Sequence, residues 1–63
     1  MQEELERFRL VNLSLCDRLL AMLEENREEA RLFFGGELYQ AYDTVTDKAK
    51  NKIHVIRNKL RNL

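Results

Sequence analysis

Apolar residues recur at helical spacing along two stretches of the chain, separated by a pair of glycines. In the first stretch Leu5, Phe8, Asn12, Leu15, Leu19, Leu23, Asn26, Ala30 and Phe33 follow one another at intervals of three and four. In the second, Leu38, Tyr42, Val45, Ala49, Ile53, Ile56, Leu60 and Leu63 do the same. Intervals of three and four return to one face of an α-helix, so each stretch reads as amphipathic helix with a single 4–4 stutter. Between them stand Gly35 and Gly36. Two glycines inside a helix would cost about 2 kcal/mol relative to alanine. After Phe33-Phe34 they read instead as a helix C-cap and a turn. The spacing predicts helices over about 3–34 and 37–62, with the turn at Gly35-Gly36. No proline interrupts either helix, and no strand or repeat signal is present.

A connection this short makes the two helices antiparallel neighbours. The expected fold is all-α: one helical-hairpin domain spanning residues 1–63. At 63 residues a single hairpin core rarely stabilises itself without disulfides, metal or oligomerisation. A lone cysteine, Cys16, excludes an internal disulfide. The apolar arc of helix one is also wider than one partner helix covers. Leu13 and Leu20 lie on a second strip beside Leu15 and Leu19, and Met22 lies on the opposite flank. These five residues are the expected oligomer interface, and the expected assembly is a homodimer forming a four-helix bundle. In length and helix–turn–helix plan the chain resembles small homodimeric hairpin bundles of the Rop type, a plasmid copy-number regulator that binds RNA. No residue motif is shared, so the resemblance carries over no site.

Charge adds a second pattern. Eleven bases balance eleven acids, but the first 47 residues hold all the acids and five bases, while Lys48 to Leu63 hold six bases and no acid. Antiparallel docking is expected to set Arg57, Lys59 and Arg61 beside Glu3, Glu4 and Glu6. On the second helix Lys50, His54, Arg57 and Arg61 follow one flank of the apolar stripe, and Asn51, Asn58 and Asn62 occupy the outward face. Cations for phosphate and amides for sugar or base edges make this a candidate face for nucleic acid or another partner. The balanced total charge argues for an ordinary solvated face instead.

The remaining chemistry is sparse. His54 is the only histidine, and Asn51 stands where a Glu-x-x-His metal motif would need its carboxylate. Cys16 falls beside Leu19 and Leu23 and reads as a buried, inert thiol. No nucleophile–base constellation or phosphate-binding loop is present, so no enzyme activity, metal or cofactor is expected. No apolar run approaches the roughly 20 residues of a membrane span, and the acidic start at Glu3, Glu4 and Glu6 does not read as a secretory signal. With a free cysteine, the expected location is cytoplasmic. Near the turn, Leu32 and Tyr39 are expected to point away from the helix–helix seam. The sequence therefore predicts a non-enzymatic, self-associating hairpin that works as a protein-interaction or assembly module. The alternative is a small nucleic-acid-binding regulator.

Overall fold

A computed structural model describes all 63 residues. Two helices make up the fold, α1 (Gln2–Phe33) and α2 (Gly36–Arg61), with no strand. The 32 residues of α1 account for the 50 Å length of the molecule, since a helix rises about 1.5 Å per residue. Neither helix is long and apolar enough to cross a membrane.

The reversal is made by Phe34 and Gly35, both extended, at φ −123° and φ −121°. Gly36 then opens α2 in the left-handed region at φ +56°. That conformation crowds a Cβ, which is why a glycine suits this position. Gly35 has no such need, and a Cβ there would meet nothing within 4 Å. The sequence-based C-cap role for the pair thus falls on Phe34, and the positive φ comes one residue into α2. Phe34 and Tyr42 close this end, their rings stacked at 5.5 Å with planes 15° apart.

Ion pairs between the helices define an antiparallel register. Arg27 stands 3.2 Å from Asp43 and 3.1 Å from Asp47. Lys50 reaches Glu24, and Arg57 stands 3.2 Å from Asp17. With Arg57 level with Asp17, Leu60 falls level with Leu13. The first turns of α1 therefore run past the end of α2. The expected pairing of Glu3, Glu4 and Glu6 with Arg57, Lys59 and Arg61 does not form. Glu6 pairs with Arg9 on its own helix, and Glu3 and Glu4 pair with nothing. The reason is length together with register: α1 is the longer helix, and the pairs at Asp17 and Glu24 set the end of α2 level with Leu13, short of the acidic start of α1.

The seam between the helices also differs from the expected one. On α1 its half-buried and buried positions run Arg9, Leu13, Cys16, Leu20, Leu23, Arg27 and Ala30, at unbroken intervals of three and four. On α2 they include Tyr39, Tyr42, Thr46, Ala49, Ile53, Arg57 and Leu60. Only Cys16, Ala30, Thr46 and Leu60 are fully buried. Three of these four are small, which lets two helices approach closely with little space left to fill. Leu13 and Leu20, expected on an outer strip, are half-buried in this seam. Phe8, Leu15, Leu19, Val45 and Ile56, expected inside it, are exposed. Cys16 is a buried free thiol.

Candidate interaction surface

Many of the large apolar side chains left outside the hairpin fall into two rows, with Leu10, Val11, Leu32 and Val55 lying apart from them. On α1, Phe8, Leu15, Leu19 and Met22 are exposed, and with Leu5, Asn12 and Asn26 they form a second row at intervals of three and four. At about 100° per residue this row lies roughly a quarter turn from the inner seam. On α2, Leu38, Val45, Ile56 and Leu63 are exposed and lie about a quarter turn from that helix's seam. In antiparallel right-handed helices both offsets fall on the same side of the hairpin. The two rows therefore share one face, and the rest of each helix is mostly polar.

Along the α1 row an open groove is lined by Leu19, Met22, Leu23, Glu25, Asn26 and Glu29. A second hollow on α2 is lined by Leu38, Ala41, Tyr42 and Val45. Asn12 is half-buried and donates its side-chain amide to the Phe8 carbonyl at 2.8 Å. Asn26 is exposed. Of the five residues expected to form an oligomer interface, Leu15, Leu19 and Met22 lie on this exposed face. Leu13 and Leu20 serve the hairpin instead. Both rows have the same helical period, so spacing alone could not tell them apart. The usable signal was the run of small residues, Cys16, Ala30, Thr46 and Ala49, at helical intervals.

The basic flank of α2 is divided by the fold. Lys50 and Arg57 are half-buried and tied to Glu24 and Asp17. His54, Arg61, Asn51, Asn58 and Asn62 are exposed. Lys48, Lys52, Lys59 and Arg61 make no ion pair within the chain. The paired cations and acids form a cluster at the turn half of the molecule. Arg27 donates to both oxygens of Glu24, at 2.8 and 2.6 Å, and also to Asp43 and Asp47. The hydrogen bond from Lys50, with help from Arg27, holds the Glu24 carboxyl below its usual range. Glu24 in turn raises Arg27 above the ordinary guanidinium value. At the turn itself Arg31 donates to the Tyr39 hydroxyl at 3.1 Å, and its guanidinium carbon sits 5.6 Å from the centre of the Tyr39 ring. Tyr39 is therefore half-buried against α1 rather than pointing away, whereas Leu32 is exposed as expected.

No three His, Cys, Asp or Glu side chains come together in a geometry that could hold a metal ion. No family model matches the chain, and neither a curated protein nor a solved structure matches it. The likeness to Rop-type bundles thus rests on length and helix–turn–helix plan alone.

Proposed function

We propose that this chain is a non-enzymatic, self-associating helical hairpin that acts as an assembly module. One observation carries the reading: the folded chain exposes 5227 Å². A compact monomer of 7.6 kDa exposes about 4,300 Å² by the scaling of surface with mass. The excess of about 900 Å² is close to the 800 Å² or so that each partner buries in a stable interface. Leu15, Leu19, Met22, Leu38, Val45 and Ile56 stand exposed on one face that the hairpin itself does not cover. At about 25 cal/mol per Å², leaving such a face in water forfeits much of the stabilisation available to so small a domain. A dimer forming a four-helix bundle recovers it with the fewest copies. The free, buried Cys16 supports a reducing, cytoplasmic setting for this reading.

Sedimentation equilibrium over a concentration series tests it. The expected mass at the upper concentrations is twice 7.6 kDa. A mass that stays at one chain up to the highest soluble concentration overturns it.

A second reading has its own observation. Exposed Asn51, Asn58 and Asn62 lie beside Lys48 and Lys59, which have no partner in the chain. Such a face suits contacts to a nucleic-acid backbone. Binding of single- and double-stranded RNA would then weaken with salt, with a log–log slope of about −0.7 to −0.9 per neutralised phosphate. Absence of binding at low ionic strength rejects this reading.

A further inference from the structure

The exposed apolar face is bordered by opposite charges on its two helices. Helix α1 holds eight acids and five bases, a net of −3. Helix α2 holds three acids and six bases, a net of +3. Apart from Arg18 on α1, the charges that the fold leaves unpaired beside this face follow the same division. Glu25 and Glu29 border the α1 row, while Lys48, Lys52 and Lys59 border the α2 row, and none of the five makes an ion pair within the chain.

We infer that a second copy of this chain docks on this face with its helices crossed over, α1 of each copy lying on α2 of the other. This rests on the reading of self-association above and specifies the surface and arrangement. Two closed twofold arrangements stack one hairpin face on another. In the first, the axis lies across the helices and each helix meets its own copy. The two net-acidic helices then lie against each other, with Arg18 the cation in reach of Glu25, and the basic second half of α2 lies against itself. In the second, the axis runs along the helices and acidic α1 meets basic α2.

A rotation about an axis parallel to the helices causes no shift along them. The register between copies is therefore the one seen within the chain, where Asp17 is level with Arg57 and Glu24 with Lys50. That register sets Glu25 level with Lys48 of the second copy, with Glu29 one turn away. It also sets apolar residues together. Ile56 falls between Leu15 and Leu19 of the second copy, Leu38 beside Phe33, and Leu63 beside Phe8. All seven are exposed in the single chain. Charge and register thus agree on one occupant without moving the hairpin.

Charge reversal tests the arrangement. Glu25→Lys and Lys48→Glu are compared singly and together by sedimentation equilibrium at low salt, with circular dichroism to confirm helix content. Both residues are exposed and stand on the outer flanks of their own helices, so neither change disturbs the seam. Each single variant is expected to weaken the dimer about tenfold, because two pairs per dimer change from attraction to repulsion. The double variant is expected to restore it. Singles that match the wild type, or a Glu25→Lys defect rescued by Arg18→Glu rather than by Lys48→Glu, overturn the crossed arrangement while leaving self-association standing. A wild-type chain that never exceeds one copy overturns self-association and, with it, this inference.

Discussion

Arg57 of the second helix stands 3.2 Å from Asp17 of the first, beside the buried Cys16 on α1 and one turn before the buried Leu60 on α2. This contact, with the Arg27 and Lys50 pairs nearer the turn, fixes which residues of the two helices face each other. It places Leu13 and Leu20 inside the hairpin and leaves Leu15, Leu19 and Met22 outside. Several outcomes depend on that division.

Substitution in the inner row should destabilise the chain, whereas substitution of an exposed leucine outside both rows should not. Leu20→Ala removes a half-buried side chain from the seam and is expected to cost about 2 kcal/mol, near the lower end for leucine truncation. Leu10→Ala, on an exposed residue outside both rows, should change stability by no more than about 0.5 kcal/mol. Urea titration followed by circular dichroism at one fixed protein concentration measures both. Equal losses would mean that the seam is misplaced.

The two glycines should respond differently to alanine. Gly36 has φ +56°, so Gly36→Ala is expected to destabilise by about 1 kcal/mol or more. Gly35 is extended with open space around it, so Gly35→Ala should be neutral or stabilise by up to about 1 kcal/mol through the unfolded chain. Thermal melts of the two variants distinguish the positions directly.

Arg27 holds three carboxylates, from Glu24, Asp43 and Asp47. Its removal leaves them facing one another with only Lys50 in reach of Glu24. Arg27→Met keeps the apolar stem and deletes the charge. The expected result is a loss of stability at low salt that shrinks as salt rises, because the cluster is only partly shielded from water. A loss that does not depend on salt would point to packing of the stem instead.

Stability should also fall in acid through Glu24. Its carboxyl is held below the ordinary 4.5 by Lys50 and then by Arg27. A carboxylate with a lowered folded pKa adds stability above its unfolded pKa and loses it as the pH drops through the folded value. Glu24→Gln should therefore be less stable than the wild type at neutral pH, and the difference should close below the folded pKa. Melting temperatures from pH 7 downward, at constant protein concentration, reveal it. A gap that is the same at neutral and strongly acidic pH would show that the carboxylate charge is not responsible.

How much of this was legible beforehand differs from residue to residue. Alternation of threes and fours, absence of proline and the Gly35-Gly36 pair suffice for two helices and a reversal, because helix formation and chain reversal depend on neighbours within one turn. Helix ends at Phe33 and Gly36 lie within one residue of those expected. The opposite charge of the two halves also predicted that the helices would attract. It did not say which charges would meet, since that depends on the register, which sets the end of α2 level with Leu13 and leaves the start of α1 beyond it. Glu3 and Glu4 were therefore expected to find cations that the fold places elsewhere.

Local pattern was enough to specify two helices, the turn between them and apolar positions on more than one side of α1. Which of those rows went inside was settled by packing between the helices. Leu15, Leu19 and Met22 have the same period as Leu13, Cys16 and Leu20, and on a lone helix either row could serve as the seam. Packing settles the choice. Small residues (Cys16 and Ala30 on one helix, Thr46 and Ala49 on the other) occupy the seam and let the helices lie close, so that Arg27, Lys50 and Arg57 reach carboxylates across the gap. The bulkier row, which would hold the helices further apart and break those ion pairs, is left facing outward.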